Sequence, residues 1–227
     1  MKIKIFSLVL VACIICSFTL QTKKKILFFG DSITEQGAKP DGFISKFRQT
    51  LEQENLTSKY ELIGAGVSSD KVYDLYLRLE EHVLSKNPDA VVIWIGVNDV
   101  WHKKSKGTGT DADKFERFYN AIIKKLRDKN ITVYLCTPAA IGEKTDYTNE
   151  LDGDLNNYAA IIRKIAKNNN CTLIDLRQAF LDYLKTNNPD NKDRGILTTD
   201  GVHLNGAGNN FVAARMFDIL SQDFIKP

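Results

Sequence analysis

Ile26-Leu27-Phe28-Phe29-Gly30-Asp31-Ser32-Ile33-Thr34 opens the folding part of this 227-residue chain and decides how the rest is read. Four apolar residues in a row, bounded by a glycine and a polar cluster, have the pattern of a short strand covered on both faces. Gly30 permits a tight turn, so Ser32 lands just past the strand's C-terminal end. Four more such runs follow at residues 60–63, 90–95, 131–135 and 172–174, mostly β-branched or aromatic. Between them, apolar residues recur at helical spacing: Phe43, Phe47 and Leu51; Val72, Leu75, Leu79 and Val83; Phe115, Phe118, Ile122 and Leu126; Leu155, Tyr158, Ile162 and Ile165. A last helix is expected after Gly208, through Phe211, Ala214, Met216 and Leu220. Strands alternating with helices predict an α/β fold with a five-stranded parallel sheet covered on both faces, in one domain over residues 23–227.

Parallel sheets of this kind bind ligands beyond the C-terminal ends of their strands. Four segments fall there: Gly30-Asp31-Ser32-Ile33-Thr34, Gly64-Ala65-Gly66-Val67-Ser68-Ser69-Asp70, Gly96-Val97-Asn98-Asp99, and Asp200-Gly201-Val202-His203. A serine becomes nucleophilic when a general base takes its proton and donors face the developing oxyanion. Ser32, at the start of a short helix, suits that role, or else Asp31 and Ser32 simply cap the helix. Asp200 and His203 are three residues apart, so one turn could supply both a base and the carboxylate that orients it. His82 falls in an amphipathic helix and His102 in an expected loop, which leaves His203 as the candidate base. Asn98 could offer its side-chain N–H to an oxyanion, or form an Asx-turn that ends the third strand.

Together and in this order, the four segments resemble those of the GDSL-type esterases and lipases, also called SGNH hydrolases, over residues 25–227. The resemblance implies a flavodoxin-like three-layer α/β/α sandwich with Ser32 as nucleophile, His203 as base and Asp200 as its orienter. It also implies an oxyanion hole made by the Ser32 N–H, a backbone N–H of the second segment and the Asn98 side chain. One position departs from the family pattern: Ser69 stands where a glycine usually precedes the acidic or amide residue. A backbone donor tolerates serine if φ is negative and is strained if φ is positive. Gly66 is the alternative donor.

Composition narrows the remaining classes. The chain has 31 Lys+Arg against 28 Asp+Glu, but Lys2, Lys4, Lys23, Lys24 and Lys25 flank an N-terminal apolar run; without those five, 26 basic residues face 28 acidic ones. The body therefore lacks the basic field that nucleic acid binding needs. Lys2 and Lys4 followed by an apolar run over residues 5–20 read as an export signal in residues 1–22. Cleavage near residues 19–22, lipidation at Cys13 and retention as a membrane tether are all open, and each places the body outside the cytoplasm. Cys136 and Cys171 sit in strand-like surroundings and read as buried thiols rather than a disulfide. With no ligand-spaced cluster of Cys and His, no metal or cofactor is expected.

The expected activity is that of a secreted serine esterase acting on a small-molecule, carbohydrate or lipid ester. Loops over residues 101–113 and 138–154 are expected to line its pocket; neither is apolar enough for a lipase lid, which favours small acyl groups such as acetyl. The alternative is a non-catalytic carbohydrate-binding module on the same fold.

Overall fold

The computed structural model describes residues 22–226; the expected export signal lies almost wholly outside them. The elements are β1 (Lys24–Gly30), α1 (Ser32–Gly37), α2 (Phe43–Gln53), β2 (Tyr60–Gly66), α3 (Val72–His82), β3 (Ala90–Trp94), α4 (Val97–Lys106), α5 (Ala112–Arg127), β4 (Thr132–Cys136), α6 (Asp152–Asn168), β5 (Thr172–Ile174), α7 (Leu176–Asn187) and α8 (Gly206–Asp223). All five strands are parallel in the order β2-β1-β3-β4-β5. This is the flavodoxin-like winding, whose direction reverses between β1 and β3 and opens a crevice there.

The pleat of β1 divides the core in two. Ile26 and Phe28 face the layer of α2, α7 and α8, packing with Phe43, Phe47, Phe180 and Met216. Leu27 and Phe29 face α3, α5 and α6, packing with Leu75, Leu79, Tyr119 and Ile162. Both faces are apolar, so the strand reads as an unbroken apolar run. Phe28 meets Phe43 and Phe47 edge-on at 5.8 and 5.7 Å between ring centres, and truncating such a buried ring typically costs about 3–5 kcal/mol.

Two helices were not expected from the sequence. α4 replaces the first part of the expected 101–113 loop; it is bounded by Gly96 and Gly107, both at positive φ. His102 therefore sits on a helix and is buried. α7 is capped by the Asp175 carboxylate, which accepts from the Gln178 N–H, and buries Leu176, Phe180 and Leu184. The final helix starts at Gly206, before the expected start after Gly208, with the Asn205 side chain capping the Gly208 N–H. Cys136 and Cys171 are both free thiols, the first buried and the second half-buried. Among the described residues, no helix is long and apolar enough to cross a membrane.

Candidate active site

Register places the site. Gly30 pairs with Gly66 on one side and Trp94 on the other, so the chain emerges from β1, β2 and β3 at the same edge. Gly66 has no room for a side chain: a Cβ there would lie 2.1 Å from the Glu35 nitrogen and 2.7 Å from the Asp31 carbonyl oxygen. Its part is to let α1 sit against β2, and it does not line the cleft.

Ser32 is the first residue of α1. The Asp31 carboxylate takes the Ile33 N–H at 3.0 Å, and the Asp31 carbonyl takes the Glu35 N–H at 2.9 Å. The neighbouring Ser32 N–H is thus left out of the capping. The Ser32 hydroxyl lies 2.9 Å from His203 Nε2, and His203 Nδ1 lies 2.7 Å from Asp200 Oδ2. Asp200 Oδ1 also accepts from the backbone N–H groups of His203 at 2.8 Å and Val202 at 3.0 Å. Partial burial pushes the Asp200 carboxyl up, but the His203 ring and the two N–H groups outweigh it and hold it below the ordinary aspartate value. The carboxylate is thereby fixed in its ionised form beside the imidazole.

The second segment brings Ser69 to the cleft with φ at 70°, the left-handed conformation in which serine is strained. Several side chains brace this stretch. The Ser68 N–H and hydroxyl both donate to Glu35 Oε2, at 2.7 and 2.5 Å. Lys71 Nζ donates to the Ser69 carbonyl at 2.7 Å. Asn98 is in the first turn of α4 and does not end the strand in an Asx-turn; its Nδ2 donates at 3.1 Å to the Asp70 carbonyl. That bond uses one of the two amide hydrogens, and the side chain lines the cleft.

Ser32, Ser69, Asn98 and His203 thus meet in one open cleft of about 380 Å³, with Trp101, His102, Gln36 and Lys106 among its walls. Of the two loops expected to line it, residues 138–154 contribute nothing to the lining. Burial, then the charges of Lys106 and Lys71, lowers the His102 pKa, which favours the neutral ring. Asp31 and Asp99 are buried nearby, and loss of hydration pushes each carboxyl up to about 7. The Ile33 N–H and the charge of His203 oppose the rise at Asp31, and the Thr110 side chain and the Val72 N–H oppose it at Asp99.

A histidine placed between a hydroxyl and an ionised carboxylate, beside convergent N–H donors, is machinery for acyl transfer. The chain belongs to the GDSL-like Lipase/Acylhydrolase family, whose model matches residues 28–211, and it is a carboxylic-ester hydrolase. Among solved structures it is similar to an acetyl xylan esterase, AlAXEase, at 61% identity and a TM-score of 0.86, over 87% of this chain and all of that one. An acetylxylan esterase of Geobacillus stearothermophilus is 29% identical over 210 residues, covering 86% of this chain and 92% of the relative. A solved catalytic mutant of an acetylxylan esterase from the same organism, in which a histidine is replaced by alanine, superposes with a TM-score of 0.75 at 25% identity, over 91% of this chain and 99% of that one.

Glu35, Lys71, Arg78 and Glu143 were not among the residues singled out from the sequence. Glu35, Lys71 and Arg78 act on backbone groups of the segments that the sequence marks, Glu143 acts on backbone N–H groups of residues 196–198 just before the last of them, and no local pattern announces such contacts.

Proposed function

We propose that the protein is a serine esterase that removes acetyl groups from carbohydrate through an acyl-enzyme. The observation that carries this reading is the continuous hydrogen-bonded line from Ser32 Oγ through His203 to Asp200. His203 Nε2 takes the hydroxyl proton as Ser32 Oγ bonds to the acetyl carbon, and the carbonyl electron pair moves onto oxygen. The Ser32 and Ser69 N–H groups and the Asn98 amide receive that oxyanion. Collapse breaks the bond to the sugar oxygen, which leaves with the proton from Nε2. Water then repeats the sequence on the acetyl-enzyme and releases acetate, restoring Ser32.

Two things support acetyl-carbohydrate as substrate. Enzymes similar to this chain over most of their length are acetylxylan esterases, and the cleft is open, with polar groups of Gln36, Ser105 and Lys106 at its walls. Those groups offer sugar hydroxyls hydrogen-bond partners. The test has two arms: mass spectrometry after diisopropyl fluorophosphate treatment, and acetate release from acetylated xylan beside p-nitrophenyl esters of increasing chain length. The expected results are a single adduct on Ser32 and rates falling steeply beyond short acyl groups. Labelling elsewhere overturns the serine mechanism, and a preference for long chains overturns the substrate.

The export reading is carried by Lys2, Lys4 and the apolar run after them. Fractionation and N-terminal sequencing of the protein made in its own cells test it; an intact N-terminus on cytoplasmic protein overturns it.

A further inference from the structure

The Arg78 side chain, on α3, is mostly buried, and its guanidinium makes bonds in several directions. Its Nη2 donates to the Gly30 carbonyl at 2.8 Å, its Nη1 to the Ala65 carbonyl at 2.9 Å, and its Nε to Asp70 Oδ2 at 2.6 Å. The plane lies over the Phe29 ring at 4.5 Å from its centre, and Nη1 also lies 3.1 Å from His82 Nδ1. These acceptors belong to the end of β1, the end of β2 and the loop after β2. Gly30 is two residues before Ser32. Asp70 follows Ser69 directly, and its carbonyl is the group to which the Asn98 amide donates.

We infer that Arg78 is a positioning residue for the oxyanion donors: it fixes the Ser69-Asp70 loop, and through the Asp70 carbonyl the Asn98 amide, relative to the turn that carries Ser32. This rests on the proposed mechanism. The physical argument is one of shape. A single planar, permanently charged fork ties two strand ends and one carboxylate at fixed relative positions, which a lysine with one ammonium cannot reproduce. Donor placement matters most when charge develops on the acyl oxygen, so misplacement should reduce turnover more than substrate binding.

The test is a double-mutant cycle with steady-state kinetics on p-nitrophenyl acetate. Arg78→Lys should lower kcat about 10- to 100-fold with KM within about threefold, as expected for partial loss of oxyanion stabilisation. In an Asn98→Ala background the same change should cost less than about a third of that factor, because one of the donors it positions is already gone. Equal factors in the two backgrounds overturn the inference, since a general loosening of the fold would act in both alike. If Arg78→Lys does not fold, Asp70→Asn takes its place in the same cycle; it keeps both carbonyl contacts and weakens only the charged link. An Asp70→Asn enzyme with unchanged kcat, or with no coupling to Asn98→Ala, overturns the inference equally. Failure of the underlying mechanism looks different, because Ser32→Ala would then remain active.

Discussion

The fully buried carboxylate of Glu143 is hydrogen-bonded to the Thr198 backbone N–H at 2.7 Å, two residues before Asp200. The same carboxylate accepts from Leu197 at 2.7 Å and Ile196 at 2.8 Å. Beside it the Gly142 N–H donates to the Gly201 carbonyl at 2.8 Å, and the Gly201 N–H donates to Thr198 Oγ1 at 3.0 Å. The segment expected to line the pocket thus serves as the anchor of the loop that carries Asp200 and His203. A buried carboxylate is tolerated when several N–H groups solvate it, and its removal leaves those groups unsatisfied.

Glu143→Ala should therefore destabilise the protein by about 3 kcal/mol or more, and Glu143→Gln by about half as much, because one acceptor oxygen survives. Urea denaturation of the purified variants measures both. A loss below about 0.5 kcal/mol for the alanine variant would show that water replaces the carboxylate without strain.

Ser32→Ala should reduce ester hydrolysis by at least about three orders of magnitude with little change in the melting temperature, since the half-buried hydroxyl is bonded to the His203 ring and its loss opens no core cavity. His203→Ala should cost a similar factor, and the double variant should be hardly worse than either single one, because a base without its nucleophile has nothing to activate. Multiplicative losses in initial-rate assays would place His203 in some other step.

Asp31 and Asp99 give stability a distinct pH profile. Burial raises each from 3.8 to about 7, so between about pH 4 and 7 the folded chain holds protons that the unfolded chain has released. Stability from this source falls as pH rises through that window and levels off above it. Asp175 and Asp200 are shifted down instead; the stability they contribute is present above their ordinary range and is lost at lower pH, below this window. Asp99→Asn keeps an acceptor for the Val72 N–H, now bonded at 3.1 Å, and removes the titration. It should raise the melting temperature at pH 8 by more than at pH 5. An equal shift at both values would mean that Asp99 ionises in the fold much as it does in the unfolded chain.

Ser69, at φ 70°, should accept glycine readily. Relief of a left-handed residue, about 1–2 kcal/mol, is partly offset by glycine's greater freedom in the unfolded chain, about 0.5–1 kcal/mol. Ser69→Gly should thus be neutral to slightly stabilising with kcat within about twofold, since the donor proposed there is a backbone N–H. Ser69→Val, branched at Cβ, should lose both stability and turnover. Chemical denaturation with parallel kinetics checks the pair, and a tolerant valine variant would show that the loop can abandon its positive φ.

Much of this was legible in the chain because it depends on local pattern. Unbroken apolar runs such as residues 26–29 mark strands buried on both faces, and the Asp200–His203 spacing shows that one loop can hold both groups. α4 and α7 were missed for different reasons. α7 carries a helical stripe in Leu176, Phe180 and Leu184, but it follows a strand of only three residues with no punctuating glycine. α4 is rich in polar and basic residues, so no apolar stripe announces it and the sequence pattern alone puts His102 in a loop. Arg78 and Glu143 were beyond reach, because their partners Gly30 and Thr198 lie 48 and 55 residues away and become neighbours only once the sheet and the last loop are in place.

Asn98 separates an oxyanion donor from a purely structural amide. Its Nδ2 already donates to the Asp70 carbonyl, which orients the side chain and leaves one N–H to serve the cleft. Removing the amide should lower kcat by about 10² to 10³ with little change in KM, because the interaction is made mainly as the carbonyl oxygen gains charge. Asn98→Asp should be at least as damaging as Asn98→Ala. An ionised carboxylate cannot donate to Asp70, it repels the oxyanion, and it adds charge to a buried site already crowded by Asp31, Asp70 and Asp99. A structural amide predicts a different pattern, in which both variants lose stability through the broken bond to Asp70 while the surviving folded enzyme turns over normally. Measuring kcat, KM and melting temperature for the two variants decides the matter: near-normal turnover in a destabilised Asn98→Ala would confine Asn98 to bracing the loop.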